Sequence, residues 1–171
     1  LVASDGAGSD RFGWSVAVSG SYALIGADGD DDKGSGSGSV YVFERDSMGV
    51  WTQAQKLTAS DGQAYAGLGN AMSASGTIAV VGARLDKHSG FNAAGAAYVF
   101  QRDGMGVWTE AQKLTASDPA FMGWFGISVA VSGDFALIGA YGDDDGKPQS
   151  GSAYLFKHDG MGNWSQLQKL H

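Results

Sequence analysis

The chain has 171 residues, of which 43% are hydrophobic and 17% are charged, and this composition indicates a folded domain rather than a disordered segment. Acidic residues outnumber Lys and Arg by 18 to 11, and the formal charge of −7 argues against nucleic acid or an anionic membrane as a partner, since both attract clustered positive charge. Cysteine is absent, which excludes disulfides and thiolate chemistry, and no apolar run approaches the roughly 20 residues that cross a bilayer, so no membrane insertion is predicted.

The beginning of the chain predicts four short strands, over residues 14–19, 22–26, 38–44 and 50–59. Glycine, which occurs 28 times, and Asp mark the tight turns between the strands, because both tolerate the positive φ that such turns require. The second and third strands are apolar on both faces, whereas the fourth is the most polar. This pattern indicates a sheet that is covered on both faces and has a polar outer edge.

The same pattern of strands then recurs twice along the chain. The segment YVFERDSMGVWTQAQKLTASDG begins at Tyr41 and returns as YVFQRDGMGVWTEAQKLTASDP at Tyr98; a third, weaker copy is YLFKHDGMGNWSQLQKLH at Tyr154. We therefore divide the chain into three units, residues 1–56, 57–113 and 114–171. Stacked four-stranded sheets of this kind are propeller blades, so the sequence predicts an all-β chain with three antiparallel four-stranded blades of a β-propeller.

The motifs FGWSVAVSG, ALIGA and YVF resemble the FG-GAP repeat of integrin α-subunit propellers, and they resemble the tandem FG-GAP proteins of bacteria and protists more closely. The resemblance covers essentially the whole chain. The Pro of the family name is missing, because Gly26-Ala27 is followed by Asp28. The resemblance implies an extracellular or cell-surface protein that serves in interaction or adhesion.

Three blades are fewer than the four to eight that propellers typically contain. The outer faces of the first and last sheets are expected to expose apolar surface and to require a partner. One predicted partner is a second copy, joined head to tail in a six-bladed ring; the other is a set of further blades in a longer chain, since residues 1–5 resemble residues 57–61 at a repeat boundary. A lone monomer is not expected.

Two loops between the second and third strands of a unit each carry three consecutive aspartates. They are Asp30, Asp31, Asp32, Asp143, Asp144 and Asp145. Clustered carboxylates on a glycine-rich loop suit Ca²⁺, and Asp5 and Asp10 are candidates to complete such a site. The alternative is a solvated turn, because the middle unit has Asp86 alone and a bare Ser-Gly-Ser turn stands where the resemblance to integrins implies a spaced acidic calcium loop.

Trp14 and Trp124 fall outside the repeated positions and lie near the loops that lead into the first strand of a unit. Exposed aromatic rings beside Asp5 and Asp10 are typical of a surface that stacks on sugars, although both rings also suit a packing role. These four residues are the predicted ligand rim.

The sequence carries no nucleophile–base pair, spaced metal-ligand set or phosphate loop, and it therefore predicts that the chain is not an enzyme. The predicted function is an interaction or adhesion module that binds protein or glycan through the loop rim of the propeller. The alternatives are a structural repeat unit that assembles without a separate ligand and a carbohydrate-binding lectin.

Overall fold

The computed structural model describes residues 1–144, 146–147 and 150–171, and these residues form twelve strands and no helix. The strands are β1 Val16–Ser19, β2 Tyr22–Ala27, β3 Ser39–Arg45, β4 Trp51–Leu57, β5 Met72–Ser75, β6 Ile78–Ala83, β7 Ala96–Arg102, β8 Trp108–Leu114, β9 Phe125–Ser132, β10 Phe135–Ala140, β11 Ser152–His158 and β12 Trp164–Leu170. They build three antiparallel sheets in the order β1-β2-β3-β4, β5-β6-β7-β8 and β9-β10-β11-β12, which we call blades 1, 2 and 3. The prediction of an all-β chain with three four-stranded blades is confirmed. The part of the chain described contains no helix that could span a membrane.

Each blade ends in the same hairpin between its third and fourth strands. In blade 1 the Asp46 carboxylate accepts hydrogen bonds from the backbone N–H groups of Met48 and Val50 at 2.9 and 2.8 Å. Asp103 and Asp159 make the equivalent bonds in the other blades. The repeated Asp therefore fixes the turn, which explains why this part of the repeat is so constant in sequence.

The hydrophobic core lies between the blades. One face of blade 1 packs on blade 2, where Leu24 and Val42 meet Tyr98 and Phe100, and all four side chains are buried. Blade 2 packs on blade 3 in the same manner. Because a middle sheet is covered on both faces, its inner strands carry runs of apolar residues that face both sides.

Glycines allow neighbouring blades to approach each other closely. A Cβ on Gly26 of blade 1 would overlap the carbonyl oxygen of Gly69, and a Cβ on Gly82 of blade 2 would overlap that of Gly126. Gly69 and Gly126 themselves have φ of about +90° and +87°. Gly69 lies just before β5 and Gly126 is the second residue of β9, so the Phe-Gly position of the repeat is a contact between blades.

Candidate functional site

Each blade contains a partly buried network of one Tyr, two Asp and one Lys. In blade 2 the Tyr98 hydroxyl lies 2.7 Å from Asp61 and 3.0 Å from Asp86, and it donates its proton to this carboxylate pair. The Lys113 ammonium lies 2.7 Å from Asp61 and 3.0 Å from Asp86. Asp61 belongs to the leading loop, the segment before the first strand of the blade, and Asp86 to the loop between the second and third strands. The network therefore joins both loops to the outer strand.

The other blades repeat this network with equivalent residues. They are Tyr41, Asp5, Asp30 and Lys56 in blade 1, and Tyr154, Asp118, Asp143 and Lys169 in blade 3. The lone aspartate of the middle unit, Asp86, thus matches the first aspartate of each triplet. The repeated element is one buried carboxylate with a cation beside it, and the triplet is a local addition.

The remaining predicted acidic residues have separate partners. Asp32 pairs with Lys56 at 2.6 Å, and Asp31 accepts a hydrogen bond from the Gly36 N–H at 2.7 Å. Asp10 is buried and accepts a hydrogen bond from the Ala7 N–H at 2.6 Å. Asp144 is exposed, and Asp145 lies outside the described residues. Asp5, Asp30 and Asp32 therefore share Lys56 as a partner, whereas Asp10 and Asp31 accept hydrogen bonds from backbone N–H groups.

The described carboxylates of the two aspartate loops do not fit a calcium site. In blade 1 the Lys56 ammonium lies within 2.8 Å of Asp5, Asp30 and Asp32, at the position where a bound cation would be coordinated. In residues 1–144, 146–147 and 150–171, no group of three or more His, Cys, Asp or Glu is placed to hold a metal ion. A fully solvated turn does not fit either, because Asp30 and Asp143 are buried. Calcium binding stays a prediction.

The networks are expected to make the fold less stable in acid. Burial alone raises the pKa of Asp30, Asp61 and Asp143, but hydrogen bonds from Lys and Tyr side chains outweigh it and hold each pKa below its ordinary value. A carboxylate with a lowered folded-state pKa stabilises the fold above its unfolded pKa of about 3.8 and loses that contribution as the pH falls through the folded value. Burial raises the pKa of Asp28, so its carboxyl group favours the folded state in acid. It opposes three carboxylates that have the reverse effect.

We expect the free energy of unfolding, measured with urea, to decrease steeply below about pH 4. In an Asp30→Asn variant the slope of the unfolding free energy against pH should be shallower below about pH 4, by an amount equivalent to at most one proton. The reason is that the Asp30 carboxyl group no longer takes up a proton on unfolding. An identical slope in the parent chain and the variant would contradict the assignment.

A cleft on the rim between blades 1 and 2 holds a second charged cluster. The Arg11 guanidinium lies 3.1 Å from the buried Asp28 carboxylate, and Arg84 of blade 2 lies 3.7 Å from its other oxygen. Tyr65, which is 63% exposed, completes the wall. Arg11 and Tyr65 also line a wider adjoining cavity of about 430 Å³. We call the four residues Arg11, Asp28, Tyr65 and Arg84 the rim cleft.

The rim cleft lies where the three units share a backbone but differ in side chain. Positive φ recurs at Ser9, Tyr65 and Met122, which are equivalent positions of the three leading loops. It recurs again two residues later in each loop, at Arg11, Gly67 and Trp124. The residue that follows the second strand also changes from unit to unit, from Asp28 to Arg84 to Tyr141. Constant loop geometry with variable side chains is typical of a recognition surface on a rigid scaffold.

The two predicted rim tryptophans lie in different blades. Trp14 is 52% exposed, and the Arg11 guanidinium lies 5.2 Å from the centre of its ring. Trp124 stacks on Tyr141 in blade 3, with ring centres 5.6 Å apart and planes at 4°. Trp14 therefore borders the rim cleft, whereas Trp124 packs against a neighbouring ring.

The repeat motif can be compared directly with protein families. A family model described as the FG-GAP repeat matches residues 1–43, 51–100 and 108–156. The chain belongs to the FG-GAP repeat family. This confirms the resemblance drawn from the Phe-Gly and Tyr-Val-Phe motifs. A search of curated protein sequences finds no match to the FG-GAP chain.

The FG-GAP chain is also similar to a solved structure, the periplasmic gluconolactonase PpgL of Pseudomonas aeruginosa. The TM-score is 0.50 and the sequence identity is 14%. The similarity covers 91% of this chain and 56% of the gluconolactonase, so the chain spans little more than half of that protein. At this identity the similarity shows the fold alone, which is of the propeller type.

The sequence predicts that the FG-GAP chain is not an enzyme. This prediction is wrong in excluding catalysis, because a similar structure is that of an enzyme. The prediction relied on the absence of contiguous catalytic motifs. A propeller brings side chains from separate loops together at its rim, so a site on this fold needs no contiguous motif. The missing motifs therefore exclude no activity.

The sequence pattern does not reveal the residues of the rim cleft. Arg11, Asp28, Tyr65 and Arg84 stand far apart in the chain, and Asp28 and Arg84 are distinguished in the sequence only by standing where the family name implies a Pro. These residues could have been found by aligning the three units and looking for positions where the residue type differs. Such positions are not required for the blade scaffold.

Proposed function

We propose that this FG-GAP chain is an extracellular or cell-surface interaction module that binds a protein or glycan ligand through the propeller rim, with the rim cleft as the contact. One observation carries the proposal: the leading loops repeat a positive φ at the same two positions, while their side chains change from unit to unit. Family membership supports the setting, since FG-GAP repeats are typical of surface proteins. Loops that project from a rigid scaffold are also where binding residues concentrate.

The charges of the rim cleft indicate the kind of group that it would bind. Two guanidinium groups face one carboxylate, so the cluster has an excess positive charge on a chain whose formal charge is −7. Arg11 is about half exposed and can still donate to a ligand. Trp14 and Tyr65 add exposed aromatic faces. Such a surface suits an acidic group next to a sugar or aromatic ring.

The test is a glycan array that includes acidic sugars, followed by calorimetric titration of any ligand found and of acidic peptides. In an Arg11→Ala, Arg84→Ala double variant the affinity should decrease about 10- to 100-fold, because charge-assisted hydrogen bonds are lost. Arg45→Ala is the matched control, since Arg45 is exposed at the opposite end of its blade beside the hairpin. Equal binding by the parent chain and the double variant would refute the proposal.

The same titration is repeated with Ca²⁺ and with EDTA. Binding that is unchanged by EDTA would remove calcium from the proposed mechanism, whereas loss of binding would support a metal at the aspartate loops.

A further inference from the structure

Blade 3 presents an apolar face that has no covering sheet among the described residues. Phe135, Leu137 and Leu170 on this face are 44%, 39% and 41% exposed. Their equivalents in blade 1 are Tyr22, Leu24 and Leu57, which are 6%, 0% and 3% exposed. The equivalents Val80 and Leu114 of blade 2 are buried as well. Ile78, the third equivalent in blade 2, is partly buried, so these positions are buried or partly buried wherever a further blade follows.

Blade 1 presents the complementary face. Val16 and Val18 of β1 are both 68% exposed. The equivalent residues of β9, Val129 and Val131, pack into the core between blades 2 and 3. The exposed sides of blades 1 and 3 are thus the two halves of an interface that the chain already builds twice.

A groove on blade 3 matches the place where a leading loop binds. In the two existing interfaces, Leu68 and Phe125, at the end of a leading loop and at the start of β9, pair in parallel with Gly38 and Gly95 of the preceding blade. The equivalent glycine of blade 3 is Gly151, which lines an open cavity of about 540 Å³ together with Gly139 and Leu170. The cavity occupies the position that the Phe-Gly loop of a following blade would fill.

The loop that would fill this groove is present in blade 1 with the required geometry. The Phe12 ring packs edge-on against Tyr41 and Phe43, at centre distances of 5.4 and 6.2 Å. Phe125 packs on Tyr154 and Phe156 in the same way, at 5.3 and 6.0 Å. Phe12 therefore already has the conformation that its equivalent adopts inside an interface.

A polar contact between a glutamine and a tryptophan backbone also recurs between blades, and among the described residues its third instance is not formed. The Gln55 side-chain amide exchanges two hydrogen bonds with the backbone of Trp108, and Gln112 does the same with Trp164. The third glutamine of this series, Gln168, is exposed on blade 3. The third tryptophan, Trp51, is on blade 1. The two are the remaining pair.

We propose that the uncovered face of blade 3 binds the blade 1 face of a second copy of this chain, and that two copies close head to tail into a six-bladed ring. The Phe12 loop of one copy enters the Gly139–Gly151 groove of the other, and Gln168 binds the Trp51 backbone. A second copy is the occupant because the chain carries both complementary halves. A head-to-tail interface closes into a ring when the rotations add up to a full turn.

The first test is the solution mass of the 171-residue chain by size-exclusion chromatography with light scattering. We expect one species at twice the chain mass of 17.6 kDa. Leu137→Lys and Val18→Lys each place a charge in one half of the interface and should weaken association about 100-fold or more. Met161→Lys is the control, because Met161 is 84% exposed on a hairpin outside both faces, and it should leave the mass unchanged.

Mixing the two variants distinguishes the proposed interface from any other. Each variant alone retains one intact half, so an equimolar mixture of Leu137→Lys and Val18→Lys should form pairs through the single undamaged interface. Circular dichroism of each variant checks that its sheets are intact. Both substituted residues are exposed, so each variant is expected to fold. A monomeric parent chain, an open series of larger species, or a dimer that survives both substitutions would each overturn the proposal.

Discussion

Replacing Lys113 by Met is expected to lower the free energy of unfolding by about 3–5 kcal/mol at pH 7. The substitution keeps the aliphatic length but removes the cation beside Asp86, whose side chain is fully buried. A buried carboxylate without its partner costs far more than a lost surface pair. Asp61, whose side chain is 48% exposed, contributes little to the loss because water screens it. Urea unfolding followed by tryptophan fluorescence measures the change.

The matched control is Lys87→Met, which removes an exposed lysine from the loop that also holds Asp86. It should change the free energy of unfolding by no more than about 0.5 kcal/mol. Similar losses in the two variants would mean that net charge, rather than the buried network, determines the result.

His88 gives the Lys113→Met variant a distinctive pH dependence. Its Nδ1 atom lies 3.8 Å from Asp86. Burial lowers the pKa of His88, Asp86 raises it, and Lys113 lowers it further. Without Lys113 the His88 pKa should rise, and the imidazolium would then neutralise Asp86 as the pH falls. The stability deficit of the variant should therefore be smaller at pH 5.5 than at pH 8, because the benefit is lost as pH rises through the folded pKa.

The Gly126→Ala substitution should destabilise the chain by more than about 4 kcal/mol, an exceptional value for one methyl group. Gly126 has a φ of +87°, and its new Cβ would overlap the carbonyl oxygen of Ala96. The obstructing atoms belong to the backbone of blade 2, so no side chain can rotate away. Urea unfolding measures the effect, and loss of the sheet signal in circular dichroism reports it if the variant does not fold.

Gly133→Ala separates the cost of the dihedral angle from the cost of the overlap. Gly133 has a φ of +54°, but among the described residues only its two chain neighbours have atoms within 4 Å of the place where its new methyl group would lie. A left-handed Ala alone should cost about 1–2 kcal/mol. Equal losses at the two positions would show that close approach between blades 2 and 3 does not limit this site.

Most of the fold could be predicted from the sequence because a propeller blade is specified locally and the chain repeats the specification three times. The strands Tyr22–Ala27 and Ser39–Arg45 lie within one residue of their predicted bounds. The Asp of each hairpin and the apolar run of each inner strand act over a few residues, so periodicity is sufficient to find them.

The site could be predicted less well because its contacts join residues that are distant in sequence. The sequence pattern predicts a metal loop or a solvated turn for Asp30, whereas the position of this residue is determined by Lys56, which lies on the outer strand of the same blade. The ion pair of Arg11 with Asp28 and the approach of Arg84 depend on how blades 1 and 2 meet. A repeat pattern contains no information about which irregular side chains will face one another.

The Tyr–Asp–Lys networks differ from the apolar core in one respect: every member of a network lies inside a single unit. Asp61, Asp86, Tyr98 and Lys113 all fall within residues 57–113. A duplication or deletion of a whole unit, with its boundary between Lys56 and Leu57, therefore adds or removes each carboxylate together with its lysine. A gene rearrangement at this boundary can therefore change the number of blades without leaving a buried carboxylate unpaired. Propellers built from such units can be lengthened or shortened by whole blades at no electrostatic cost to the interior.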